Sequence, residues 1–178
     1  MFDLNIIPEC YVDTNLIQTL VPTSSGYNHA KGCPAVAKKM QEKFSDKFSV
    51  GIMDNDKRKV SYLSEFDEVA NDKKIYVFKH KIRCHYIILI SPAVEGFILD
   101  AVNELSINLR KYKIPSTLDT MKKETKQIDA KSCIKYTNLF KKLRGASEFK
   151  KLARLILYLK NYPFSATNKK IKEIVIKM

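Results

Sequence analysis

Phe48-Ser49-Val50-Gly51-Ile52-Met53-Asp54-Asn55-Asp56 is the stretch on which the fold turns. Its first six residues are mostly apolar with no polar alternation, which reads as a strand buried on both faces. The run then ends on two aspartates around an asparagine. Upstream, Leu4-Asn5-Ile6-Ile7 is a second short strand, cut off by Pro8 and followed by Glu9. Asp13-Thr14 suits the cap of a short helix carrying Leu16, Ile17 and Leu20. Thr23 to Cys33 is rich in turn residues, and Pro34 suits the first turn of a helix bearing Val36, Met40 and Phe44. Downstream, Tyr62, Leu63, Phe66 and Val69 suggest another helix. Ile75-Tyr76-Val77-Phe78 and His85 to Ile90 read as strands, and Ser91-Pro92 opens a helix through Val94, Phe97, Ile98, Ala101 and Leu105. The order β, α, loop, α, β, α, β, β, α predicts an α/β chain with a mainly parallel sheet flanked by helices. Ligands in such a sheet gather at the carboxyl ends of the strands.

After residue 109 the pattern becomes helical throughout. Ser116 can cap a helix running through Met121 to Ile128, Ser132 to Leu143 forms a second, and Ser147-Glu148 starts a third. In the third, Phe149, Leu152, Ala153, Ile156 and Leu159 share one face, with Lys150, Lys151 and Arg154 opposite. The expected division is an α/β domain over 1–109 and a basic helical extension over 110–178 packed on it.

Charge follows the same division. The 178 residues carry a formal net charge of +13, and residues 110–178 hold 19 Lys/Arg against 5 Asp/Glu. The remainder is nearly neutral. Such a basic region favours a polyanionic partner, although a merely solvated face has the same composition. At 45% apolar residues the chain can bury a core, which excludes general disorder. No window reaches the roughly 18 apolar residues of a membrane span and the first residues lack a signal-peptide pattern, so a cytoplasmic protein without membrane contact is expected. Cys10, Cys33, Cys84 and Cys133 show no C-x-x-C pairing, which reads as reduced structural thiols.

Glu9, Asp54 and Asp56 all stand where the chain leaves a strand. Two parallel strands ending at one sheet edge would bring them together. Clustered carboxylates repel one another unless a cation neutralises them, and Mg²⁺ or Mn²⁺ prefers such oxygens. Asp-Asn-Asp-Lys is equally ordinary turn chemistry. An EF-hand is excluded, because Arg58 and Lys59 replace the position-5 ligand and the position-6 glycine. The three histidines show no ligand spacing and read as structural, with His29 alone placed to approach the acidic edge.

The combination resembles the Toprim family, and within it the small RloB-like and OLD-type bacterial nucleases. The matching elements are Glu9 after a strand, Asp13 in the next helix, Lys31-Gly32-Cys33-Pro34 before the second helix, and the strand ending in Asp54-Asn55-Asp56. Ile90-Ser91-Pro92-Ala93-Val94-Glu95 is similar to a later Ser-Pro-x-x-Glu segment of these proteins. The resemblance covers residues 4 to about 102. It departs at Cys10, where a glycine is usual, and at Lys57-Arg58 beside the acid pair.

The resemblance implies a Toprim-like, Rossmann-like sheet and Mg²⁺- or Mn²⁺-dependent nuclease chemistry, in a phage-defence or mobile-element setting. Asp54 and Asp56 would hold the ion, Glu9 would bind a second ion or move a proton, and Glu95 would add a ligand. The expected partners are nucleic acid, DNA before RNA, and an ATPase protein, with a homodimer as one allowed assembly. Lys57, Arg58, Lys141, Lys142, Arg144, Lys150, Lys151 and Arg154 are the candidate nucleic-acid contacts. The alternative is a non-catalytic subunit of the same fold that binds nucleic acid or an ATPase.

Overall fold

The computed structural model describes residues 3–55, 60–127 and 133–176. Five strands form one sheet: β1 (Ile6–Pro8), β2 (Ser49–Asp54), β3 (Phe66–Asn71), β4 (Ile75–His80) and β5 (His85–Ile90), in the spatial order β1-β2-β5-β4-β3. The central strands β2 and β5 are buried on both faces except at Asp54, as their unbroken apolar runs require. β1 pairs parallel to β2 and β2 parallel to β5, with Gly51 opposite Ile87 and Asp54 opposite Ile90. Pro8 is tolerated because β1 lies at the edge.

The other half of the sheet corrects the expectation of a mainly parallel arrangement. β3, β4 and β5 form an antiparallel meander, so the sheet is mixed, with two parallel and two antiparallel pairings. Only residues 72–74 and 81–84 join these strands. Parallel neighbours need a crossover of a dozen or more residues, and these links are far shorter. The helix expected around Phe66 is also absent; a 3₁₀ turn spans Ser61–Glu65 and β3 follows. A register shift between Glu68 and Ala70 explains the misleading signal. The bulge breaks the two-residue alternation and leaves Phe66 and Val69 buried at a spacing of three, which mimics a helix.

Alternate strand residues feed two apolar layers. Val50, Ile52, Val77, Tyr86 and Ile88 face one side, which is covered by α1 (Tyr11–Leu20), α3 (Val94–Glu104) and the C-terminal helices. Ile7, Met53, Ile87, Leu89 and Phe78 face the other, covered by α2 (Cys33–Lys43) and Tyr62. The C-terminal helices are α4 (Leu118–Gln127), α5 (Ile134–Leu143), α6 (Ser147–Asn161) and α7 (Asn168–Ile176). The first apolar layer is continuous from Ile6 through Phe149 and Leu155 of α6 to Val175 of α7. None of the described helices is long and apolar enough to cross a membrane.

At Gly51, α2 lies close against the sheet. A Cβ there would lie 2.8 Å from Met40 Sδ and 2.9 Å from Val36 Cγ1. Met40 can bend away, but the β-branched Val36 cannot turn freely within its helix. Gly51→Ala is therefore expected to destabilise the protein by about 1–3 kcal/mol, read from urea unfolding. An unchanged midpoint would show that α2 is not held against β2 at that distance.

Candidate functional site

The parallel half of the sheet sets the site. α1 and α3 each begin just beyond the carboxyl end of a strand, and α2 begins beside the end of β1. Gly32, the residue before α2, donates its N–H to Glu9 O at 3.2 Å, and Ala30 N–H reaches Pro8 O at 3.2 Å. Three helix N-termini therefore converge on one sheet edge, where their unpaired N–H groups favour negative charge.

Glu9 extends the β1–β2 ladder, donating its N–H to Ile52 O at 2.9 Å. Its Oε2 accepts the Asp54 N–H at 3.0 Å and the Cys33 thiol at 3.0 Å. One carboxylate thus ties together the ends of β1 and β2 and the start of α2. Asp54 ends β2, and its Oδ1 accepts the N–H of Val94, the first residue of α3, at 2.8 Å. Glu95 follows in the same turn and is buried, its Oε1 accepting the Thr125 hydroxyl of α4 at 2.6 Å.

Asp13 is the fourth acid. The cap of α1 is Cys10 and not Asp13 or Thr14, and Asp13 stands three residues in. Its Oδ2 accepts the Cys10 N–H at 3.2 Å while Cys10 Sγ accepts the Asp13 N–H at 3.4 Å, a reciprocal capping box. The side chain is buried, and its Oδ1 has no partner among the described residues. Burial first, then the charge of Asp54, with Glu9 and Glu95 adding, pushes the Asp13 carboxyl well above the usual carboxylate range. Burial and the neighbouring Asp13 and Asp54 likewise push the Cys10 thiol up, which keeps it protonated and unreactive.

Glu9, Asp54 and Glu95, but not Asp13, border a cavity of about 550 Å³. Its lining combines Glu9, Asp54 and Glu95 with the cations Lys31 and Lys126 and the rings of Tyr11 and His29. Three predicted site residues, Glu9, Asp54 and Glu95, are thus brought together from three segments, and His29 joins them. Asp56, Lys57 and Arg58 lie outside the described residues. His80 and His85 do not border the cavity: His80 Nε2 is 3.1 Å from Glu65, and His85 bridges Tyr62 and Phe44 O at 2.6 and 2.8 Å.

Of the predicted nucleic-acid contacts on the helices, Lys141, Lys142, Arg144, Lys150 and Arg154 are exposed. Arg144 also donates to Thr19 O. Lys151 is a correction. It is 5% exposed, and its ammonium is held by Asp72 and by Glu148 at 2.8 Å, so it is an internal tie and not a contact surface. The sequence does not single out Tyr11 or Thr125 for the site, and places Lys126 only among the basic residues of the 110–178 region. Thr125 had a signal, since it lies one helical turn from the buried Met121 and so shares its inward face.

Among the described residues, no three His, Cys, Asp or Glu side chains form a cluster spaced to hold a metal ion. The oxygens of Glu9, Asp54 and Glu95 are donors of the hard type that Mg²⁺ or Mn²⁺ prefers, and close by, the buried Asp13 Oδ1 has no partner among the described residues. No family model matches the chain, no curated protein matches it, and no solved structure matches it.

Proposed function

We propose that the protein is a Mg²⁺- or Mn²⁺-dependent nuclease of Toprim-like type, hydrolysing phosphodiester bonds in nucleic acid, DNA before RNA. The supporting observation is the gathering of Glu9, Asp54 and Glu95 from three separate segments around one cavity, with the buried Asp13 one turn into the helix that follows Glu9. A cation bound by Glu9 and Asp54, with Asp56 and Glu95 contributing, would supply Lewis-acid polarisation of the phosphate and a water nucleophile at neutral pH. The chain's own groups do the positioning. The Asp54 N–H and the Cys33 thiol orient Glu9, and the Val94 N–H orients Asp54. Lys31 and Lys126 place positive charge beside the acids, where phosphate oxygens would otherwise be repelled. A phage-defence or mobile-element role with an ATPase partner, in the cytoplasm, belongs to this reading through the family resemblance.

One observation favours a second reading, a non-catalytic subunit that binds nucleic acid or an ATPase. The described acids do not stand as a ready ligand set. Incubation with supercoiled plasmid separates the two: the nuclease reading expects nicking in Mn²⁺ that EDTA abolishes. Retention of DNA without any nicking in Mg²⁺ or Mn²⁺ would establish the second. In either case the grip assigned to Lys141, Lys142, Lys150 and Arg154 predicts that log K falls with log salt at a slope of about −3 to −4, from some 0.9 per neutralised phosphate. A flat dependence would remove that role.

A further inference from the structure

Hydrolysis makes no use of the aromatic wall of the cavity. Tyr11, the first residue of α1, is 38% exposed, and its ring stacks on His29 with centroids 4.1 Å apart and planes at 16°. His29 is fixed behind it. Its Nδ1 lies 3.5 Å from Thr14 Oγ1, its N–H meets Asn28 Oδ1 at 3.2 Å, and its carbonyl accepts Lys39 Nζ at 2.5 Å. The pair therefore presents a held, doubled π-surface at the same cavity that contains Glu9 and Asp54. Lys31 and Lys126, both exposed, border it too.

Flat apolar surface and cations beside one another match the two halves of a nucleotide, base and phosphate. Resting on the nuclease reading, we propose that the site takes an unpaired strand, with one base stacked on Tyr11 and the adjoining phosphates drawn by Lys31 and Lys126. Duplex bases are covered on both faces by their neighbours and offer only edges and backbone, whereas an unpaired base can turn its face to a ring. The cavity lies within the roughly 300–1,000 Å³ of small-ligand clefts, a scale that suits a single nucleotide unit. Stacking is sequence-tolerant, so the preference is for unpaired bases of any identity.

The experiment uses the whole chain, with Ca²⁺ in place of Mg²⁺, and fluorescence anisotropy on three labelled probes: a twelve-thymidine strand, an abasic strand of equal length, and a twelve-base-pair duplex. Wild type is expected to bind the thymidine strand about tenfold or more tighter than the abasic strand, and tighter than the duplex. Tyr11→Ala, checked for an unchanged melting temperature, is expected to lose the preference over the abasic strand, and Tyr11→Phe to keep it. The proposal is overturned if wild type binds thymidine and abasic strands alike, if Tyr11→Ala keeps the preference, or if the duplex binds tightest. Cleavage in Mn²⁺ is scored on the same probes. A Tyr11-dependent base preference without cleavage supports the stacking site and removes hydrolysis; cleavage without the preference removes the stacking site and leaves hydrolysis standing.

Discussion

Asp54→Asn is expected to abolish Mn²⁺-dependent cleavage, by more than about a hundredfold, while the protein stays folded. The substitution is chosen for what it preserves. An amide oxygen can still accept the Val94 N–H that Asp54 Oδ1 now receives at 2.8 Å, so the start of α3 keeps its partner. What disappears is the negative charge beside Glu9 and Asp13. Groups that only orient metal ligands typically cost 10–100-fold when changed, so a direct ligand should cost more. Glu9→Gln should behave alike, since its amide oxygen can still take the Asp54 N–H. Asp54→Ala differs in removing an acceptor at the start of α3 as well, and should cost about 1 kcal/mol of stability besides activity. Equal plasmid nicking by wild type and Asp54→Asn would show that the carboxylate is not part of the chemistry.

The largest expected effect on stability lies elsewhere, at Lys151. Its ammonium is nearly out of solvent and is shared between Asp72, in the β3–β4 turn, and Glu148, one turn back on α6. Asp72 is further fixed by the N–H groups of Lys74 and Ile75 at 2.9 and 2.7 Å. Burial disfavours the charge on Lys151, but the bonds to Asp72 and Glu148 outweigh it and hold the lysine above its ordinary value. The triad therefore joins the antiparallel hairpin to the helical region. Lys151→Ala leaves two carboxylates together with no cation and should cost about 3–5 kcal/mol in urea unfolding. A loss below about 1 kcal/mol would place the triad in solvent. The same variant should leave the salt slope of DNA binding unchanged, where Lys150→Ala should reduce it by nearly one.

Lys150 and Lys151 show why this part of the structure was hard to read. Both fall on the polar side of the α6 pattern, and amphipathicity records only which residues are apolar, not whether a hairpin from another segment covers the polar side. Glu148, three residues before Lys151, was the local hint. The sheet divides in the same way. β2 and β5 were legible because burial on both faces demands unbroken apolar runs, and α6 because its apolar stripe is long. β3 was not, since one bulge erased the period of two. The antiparallel direction of β4 against β5 was legible in the shortness of the link between them, although Lys81-Ile82-Arg83-Cys84 carries none of the glycine or asparagine that marks a tight turn. α7 falls in the region expected to be helical, but no separate helix was delimited there.

At the site, Glu9 and Asp54 could be placed together because two strand ends on one edge oblige their exit residues to meet. Glu95 followed from the helix that leaves β5. His29 was legible as the one histidine in the polar loop near the acidic edge, whereas Tyr11 and Lys126 reach the cavity from the start of α1 and from α4, far apart in the chain, and no periodicity relates them. Asp13 had the opposite problem. Its position in a first turn is ordinary capping chemistry, and only full burial beside three other acids makes it unusual.

The carboxylate cavity as a cation site is the claim from which cleavage follows, and anomalous scattering from Mn²⁺-soaked crystals tests it most directly. The expected result is a peak at the sheet edge, with oxygens of Glu9 and Asp54 within about 2.1–2.2 Å of it, lost in Asp54→Asn crystals. A well-ordered cavity without a peak, or a peak held by other residues while this one stays empty, would contradict it.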